Sequence, residues 1–462
     1  MDATQTYHRG RSYWFDRASP YAPSEPLKGD QRADVCIIGG GINGVSTAYH
    51  LKQADPGCDV ALIESEVVGF GASGRNAGQL IVTFGGGDFR ANLRRFGAER
   101  MGAGWDYVDK GVQRIEQFIA DEAIECDYTQ TGFIEVSLRQ DSPALFDAYS
   151  RYVDQIGQRK SLTQLSADQM ATAFDSPYLG AGIYDSRGGQ LDPLKLVRGI
   201  KQGAERLGAR IYENSPVAHI ETSGAQIEVI TGAGRIRCSK LVLATNAYTH
   251  LLDGLRTIDA ERLQSPMMVY ASVTEPLTPA QWEAVGWARR CGVNVLSELF
   301  YSFGPTIDGR LVYVSGYYLG FPRGRELGPE INRRFLTEGH GHLEQFFPAL
   351  RGIKTVQTWG GPISITYDSI PHIGVSRDPR ILYACGCWGH GMPIGARNGQ
   401  TLAELALDRT TENTDMWFVR NPKKHWPNRV LVNFASNRIV SLRRSSNRRK
   451  GARMSPPLRF GQ

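Results

Sequence analysis

Apolar positions in this chain fall into short runs whose spacing changes along the sequence, and each change marks an element. Residues 33–64 read "ADVCIIGGGINGVSTAYHLKQADPGCDVALIE". The unbroken run Val35–Ile38 predicts a strand buried on both faces. Val45, Ala48 and Leu51 follow at helical spacing. The breaker "DPG" ends that helix, and a second run, Val60–Ile63, predicts a second strand. Strand, turn, helix and strand within about thirty residues make a βαβ unit.

Helical spacing returns around 90–123 and 142–158, with strand-like "GFIEVSL" at 132–138 between them. From residue 189 the pattern gives a turn, a helix from Leu194 to Leu207, and strands. "KLVLATNAY" (240–248) reads as a buried strand opening into a loop. Residues 260–345 mix strands, "MVYASV" and "LVYVSGYY", with a helix near 330–346. Residues 379–408 repeat the opening order of strand, glycine-rich turn and helix. Nucleotide-fold pieces thus recur with other material between them. The organisation expected is a cofactor domain split over 33–88, 189–259 and 346–412, interleaved with a substrate domain at 89–188 and 260–345. Residues 1–32, polar and proline-rich, form an arm, and 413–462 a basic tail.

Composition narrows the class only a little. A hydrophobic content of 41% with 52 glycines suits a globular enzyme rich in tight loops. The apolar runs fall far short of the roughly 20 residues of a membrane span. The N-terminus has no apolar signal region, so the expected location is cytoplasmic. Met416–Gln462 holds 12 Lys or Arg and no acid, so a chain of net +6 is a body of −6 with a +12 tail. That is not the charge pattern of a nucleic-acid-binding domain. The tail reads as a solvated segment or as a contact for a polyanion or membrane surface. Seven cysteines without framework spacing indicate reduced thiols. Cys385 and Cys387 form a C-x-C without a second ligand pair at zinc spacing, so no metal is expected.

Three glycine-rich stretches carry the chemistry. "GGGING" (39–44) fits G-x-G-x-x-G between a strand and a helix. Gly39 permits the tight turn, Gly41 lets backbone approach a diphosphate, and Gly44 lets the helix close on the strand so that its N-terminus meets the phosphates. Glu64, ending the second strand, suits ribose hydroxyls and disfavours a 2′-phosphate. A nicotinamide or a flavin dinucleotide satisfies this much. "GASGRNAGQ" (71–79) bears on the choice. FAD is the longer ligand, and its ribityl chain and ring need a second stretch of backbone free of bulk. Gly71, Ala72, Ser73 and Gly74 supply it, while Arg75 and Asn76 offer donors for phosphate or ring atoms. "CGCWGHGMPIG" (385–395) precedes a helix running to about Leu407, whose N-terminus would stabilise negative charge on a reduced flavin. His390, between two glycines of this loop, faces flavin or substrate, or serves as a structural hydrogen-bonder.

Together these stretches resemble the glycine oxidase/sarcosine oxidase/D-amino-acid dehydrogenase family of FAD-dependent amine oxidoreductases, and within it the gamma-glutamylputrescine oxidoreductase branch. The resemblance rests on Tyr21–Pro23, "DVCIIGGGINGVSTAYHL" (34–51), "ESEVVGFGASGRNAGQL" (64–80), "GGQLDPL" (188–194), "ATNAY" (244–248) and "GHG" (389–391), in family order. It implies an α/β fold: a Rossmann-like FAD-binding domain, split in sequence, interleaved with an α+β substrate domain built on an antiparallel sheet. It places Val217 near the adenine, Asn246 and Ala247 near the diphosphate, and Gly391 and Met392 beside the ring. It adds Ile42, Asn43, Ser65, Gly78, Gln79, Leu80, Gly360 and Gly389 to the cofactor contacts. Some relatives tether the flavin through a Cys, where this chain has about Gly361, or through a His, where it has Arg75-Asn76, so FAD is expected to bind non-covalently. The oxidases keep a Lys over the flavin, and no Lys occurs at 311–318, which leaves the electron acceptor as oxygen or another oxidant.

The reaction implied is oxidation of the C–N bond of a small amine or amino acid: a secondary amine, a gamma-glutamylated amine or a D-amino acid. The resemblance brings His390 and Tyr318 forward as catalytic candidates, and Tyr301, Tyr317 and Arg323 as substrate contacts. Each tyrosine is more often a core residue than a site residue, and Arg323 reads as a solvated loop side chain or a carboxylate clamp. Two rival functions share the pattern: oxidation of a C–O bond in a 2-hydroxy acid, and a non-catalytic flavoprotein subunit.

Overall fold

The computed structural model describes residues 6–7, 12–18, 20–139, 142–255, 260–296, 301–319, 333–421, 424–427, 438 and 442. The continuous apolar runs build its first sheet. Val35–Ile38 and the strand Val60–Ile63 are buried throughout, as parallel strands covered on both faces must be. In space the parallel strands run Arg210–Tyr212, Val60–Ile63, Gly29–Ile38, Gly234–Leu243 and Ile381–Cys385. In chain order this is 3-2-1-4-5, the doubly wound arrangement, and the order reverses between Gly29–Ile38 and Gly234–Leu243. Val217–Glu221 and Ile227–Thr231 add an antiparallel extension along the N-terminal half of Gly234–Leu243.

The helix Ile42–Ala54 packs against Gly391–Ala406, and their N-termini lie side by side. Close approach requires Gly399, where a Cβ would overlap Ser46. Ser46 Oγ in turn donates to the Ala396 carbonyl at 2.8 Å. The two helix ends that carry glycine loops are therefore bolted together.

Among the described residues the second sheet has nine strands in the order Thr6–Tyr7, Thr355–Ile365, Ser265–Thr274, Leu311–Leu319, Tyr301–Pro305, Gly292–Leu296, Phe133–Leu138, Leu179–Asp185 and Leu162–Leu165. Pairing is antiparallel except at Thr6–Tyr7 with Thr355–Ile365 and at Gly292–Leu296 with Phe133–Leu138. Ile134, Val136, Phe303 and Tyr313 join Trp287 and Phe347 in a core on one face, where the helix Arg333–Phe346 also packs. The other face looks toward the first sheet.

Several boundaries differ from the sequence pattern. The helical stretch 90–123 is two helices, Phe89–Phe96 and Ala98–Asp121, broken at Gly97, whose φ of +83° ends the first. Strand 240–248 stops at Leu243, and Asn246–Leu251 winds into a 3₁₀ turn. Thr355–Ile365, grouped above with the cofactor segments, pairs instead with Ser265–Thr274 in the nine-stranded sheet. The arm is not merely polar: the helix Tyr13–Arg17 buries Tyr13 and Trp14. At the start of the tail, Phe418 is fully buried against Phe84 and Tyr107. The basic stretch 443–460 lies outside the described residues. Among the described residues no helix is long and apolar enough to cross a membrane.

Candidate active site

The first loop takes its shape from two glycines. Gly39 has a φ of +111°, and a Cβ on Gly44 would overlap the Gly39 carbonyl. The turn therefore closes tightly at the strand-order reversal, where ligands of doubly wound sheets bind. The helix that follows has no capping side chain of its own. Ser73, from the second glycine run, supplies one: its Oγ accepts from the Ile42 N–H at 2.9 Å. Glu64 closes the same corner, its carboxylate accepting from the N–H of Gly40 at 2.6 Å and of Glu66 at 3.0 Å. Burial pushes that carboxyl above its usual range, against the pull of the two N–H groups.

The second run is held from three sides. Asn76 Nδ2 donates to the carbonyls of Ala72 and Ser73, and its Oδ1 accepts from the Gly78 N–H. Trp14 and Trp359 donate from their indoles to the carbonyls of Asn76 and Arg75, each at 2.8 Å. The buried Arg75 lies over the Phe70 ring at 4.3 Å and donates to the Gly360 carbonyl at 3.1 Å. Asn76 thus spends its amide on the loop itself, and Arg75 gives a donor to the strand Thr355–Ile365. Asn76 is a staple, because an amide with both groups satisfied rigidifies a glycine-rich turn that would otherwise be loose.

The third loop leaves the strand Ile381–Cys385 through Gly386, Trp388 and Gly389, all at positive φ. The Trp388 indole donates to Thr366 Oγ1 at 3.0 Å, which holds this left-handed tryptophan in place. His390 then caps the helix Gly391–Ala406 from a backbone position. Burial pushes the His390 imidazole down to about 4, so it is neutral at physiological pH.

All three loops open into one cavity of about 1580 Å³ between the sheets. Gly39, Gly41, Ile42, Asn43, Glu64, Ser65 and Val217 line one end, with Asn246 and Ala247 beside them. Gly71, Ala72, Ser73, Arg75, Asn76 and Gln79 line the middle, with Gly389, His390, Gly391 and Met392 across from them. The floor is the nine-stranded sheet, through Val269, Ala271, Val314, Gly361 and Ile363. Such a volume exceeds that of a pocket for one small ligand, roughly 300–1,000 Å³.

Other expected positions lie elsewhere. Gly44 and Leu80 are packing residues, Gly78 borders a smaller neighbouring cavity, and Gly360 contributes its carbonyl to Arg75. Tyr301 is a correction: it faces the core, edge-on to His342 at 4.9 Å and Phe346 at 5.4 Å. Its neighbour Ser302 faces the cavity instead, since alternate residues of a strand take opposite faces. Tyr317 and Tyr318 lie on the strand Leu311–Leu319, paired with Val269 and Met268; their side chains, and Arg323 altogether, lie outside what is described. Glu135 and Asn294, outside every motif of the sequence, also line the cavity, as does Trp388 of the third glycine-rich stretch. Among the described residues no cluster of His, Cys, Asp or Glu could hold a metal ion.

Residues 34–405 match the family described as DAO, FAD dependent oxidoreductase. The chain belongs to this FAD-dependent oxidoreductase family. It is 29% identical over 408 residues to the probable oxidoreductase OrdL of Haemophilus influenzae, covering 86% of this chain and 88% of that one. Identity to the gamma-glutamylputrescine oxidoreductase of Escherichia coli is 29% over 394 residues, covering 85% and 88%. The DAO fold is seen directly in the glycine oxidase of Geobacillus kaustophilus, which superposes with a TM-score of 0.68 at 18% identity, over 85% of this chain and all of that one. The chain is thus an FAD-dependent oxidoreductase. The cavity fits that cofactor: Asn43 and Asn246 each present a buried amide oxygen without a partner among the described residues, and at Gly41 a Cβ would crowd Ser73 Oγ at 3.0 Å. Asn246 is itself held at a φ of +44°.

Proposed function

We propose that this protein oxidises the C–N bond of a small amine, with FAD held non-covalently along the three loops. Gly39, Gly41, Asn43 and Glu64 would take the adenosine diphosphate half, with Val217, Asn246 and Ala247. Gly71–Ser73 and Gly389–Met392 would flank the flavin. When bound, FAD would supply the two-electron acceptor for oxidation of the C–N bond to an imine, which water would hydrolyse to a carbonyl compound and an amine or ammonia.

The observation that carries this reading is that the dinucleotide turn, the second glycine run and the His390 helix end share one cavity with an apolar sheet floor. A reactive amine must be neutral, and a floor of Val269, Ala271, Val314 and Ile363 disfavours its charged form by withholding water. His390 is already neutral, so it accepts a hydrogen bond or positions substrate without serving as an acid. His390→Gln is therefore expected to leave the shape of the pH profile of kcat/KM between pH 6 and 9 unchanged. The rate should fall by less than about 100-fold, the lower bound for general acid–base catalysis. A limb that disappears from the profile would make His390 the proton acceptor.

The proposal is tested by turnover with a dye acceptor, amines against 2-hydroxy acids. Amine turnover is expected; hydroxy-acid turnover alone would replace the C–N reading with C–O oxidation.

A further inference from the structure

The cavity floor changes character along a single row of the nine-stranded sheet. Ala271 lies opposite Val314, Val314 opposite Ser302, Ser302 opposite Asn294, and Asn294 opposite Glu135. All five line the cavity. The row thus runs from apolar to polar, and at about 4.8 Å per strand Glu135 stands about 14 Å from Val314.

The polar end is short of donors. Glu135 Oε2 and Asn294 Oδ1 are both buried acceptors without a hydrogen-bond partner among the described residues. Asn294 is 8% exposed. Neither residue can turn away, because Ile134, Val136, Val293 and Val295 anchor their strands in the core on the opposite face. Burial pushes the Glu135 carboxyl up to about 7; the Tyr149 hydroxyl opposes the rise and the Asp185 carboxylate adds to it. Asp185 itself is paired to Arg187 at 2.8 Å. The cationic side chains among the described lining residues are Arg75 and Arg90. Arg75 serves Gly360, and Arg90 pairs with Asp88, so neither neutralises Glu135.

We propose that Glu135 and Asn294 form a subsite for a second cationic group, so that the preferred substrate is an amine bearing a distal ammonium, such as an α,ω-diamine. The reacting end lies over the apolar part of the row, where the neutral amine is favoured, and the distal ammonium meets two acceptors that otherwise remain unpaired. This rests on the amine-oxidation reading and refines its substrate class. Ser302, donating to Gln79 Oε1 at 2.9 Å, marks where the floor turns polar.

The test measures anaerobic flavin reduction in the holoprotein by α,ω-diamines and by n-alkylamines of equal length, in wild type and in Glu135→Gln. Glutamine keeps the shape and a partner for Tyr149 while removing the charge. Wild type is expected to favour diamines roughly tenfold to a hundredfold, the range of a hydrogen bond to a charged group. Glu135→Gln should abolish that preference, bringing the two series to equal rates, while the protein keeps its flavin. Equal rates for the two series in wild type, which needs no variant, or a preference that survives Glu135→Gln, overturns the subsite alone. Failure of every amine to reduce wild type overturns the subsite together with the reading beneath it. Should Glu135→Gln lose its flavin, Asn294→Ala is read in the same way, and an unchanged preference there overturns the proposal.

Discussion

Gly44→Val is expected to give a chain that purifies without its flavin. A Cβ at this position would overlap the Gly39 carbonyl, in the turn, and approach the Ala244 Cβ at 3.4 Å, just past the end of the strand Gly234–Leu243. The helix Ile42–Ala54 must then lift away, taking with it the N-terminal N–H groups proposed to meet the diphosphate and the bond from Ile42 to Ser73. Overpacking of this kind costs about 1–3 kcal/mol, which corresponds to a loss of roughly ten- to a hundredfold in cofactor affinity. The ratio of flavin to protein absorbance after gel filtration measures it. Gly232→Ala is the control, since a Cβ there meets nothing within 4 Å, and it should retain wild-type flavin. Flavin retained in full by Gly44→Val would contradict the tight-turn account.

Lys201→Met is expected to produce the largest loss of stability. Glu213 is wholly buried behind the second glycine run and accepts from Lys201 at 2.8 Å, the Val68 N–H at 2.6 Å, the Ser24 N–H at 2.7 Å and the Tyr21 hydroxyl at 2.8 Å. Burial alone would raise the Glu213 carboxyl; the Lys201 ammonium and the two N–H groups outweigh it and hold it below its usual range. Removing the lysine leaves a buried charge uncompensated, at a cost of about 3–5 kcal/mol. The urea midpoint reads it. A carboxyl depressed in the native state stabilises fully above its unfolded value of about 4.3, and that contribution disappears as pH falls through the native value. Wild type should therefore lose stability below about pH 4 through this group. Lys201→Met should already have lost most of that contribution at neutral pH. Equal midpoints at pH 7 would show that the pair adds nothing.

What the sequence made legible follows the range over which each signal acts. The βαβ unit could be read because strand, turn and helix are neighbours, and Gly39, Gly44 and Glu64 occupy positions set by local geometry. The purpose of the second run was legible only in part. Gly71, Ala72 and Ser73 do line the cavity, whereas Gly74 packs against Gly69 and Leu194; Asn76, Arg75 and Ser73 hold the loop and cap a helix, which depends on partners at Ile42, Gly360 and Trp359. Tyr301 stands one step of strand alternation from Ser302 on the cavity face, and that single step turns its side chain to the core. Glu135 shows the limit most plainly. In "GFIEVSL" an acid between Ile134 and Val136 reads as the solvent face of a half-buried strand. Only the pairing of strands far apart in sequence, Phe133–Leu138 with Gly292–Leu296, turns that face toward a cavity and sets Asn294 beside it.

The central claim, transfer of hydride from a carbon next to nitrogen, is tested most directly by mixing the oxidised holoprotein anaerobically with an amine and with the same amine deuterated at that carbon. Bleaching of the flavin by either amine is expected, slower with the deuterated one, with one carbonyl product per flavin reduced. Bleaching by a 2-hydroxy acid, with none by any amine, would contradict it.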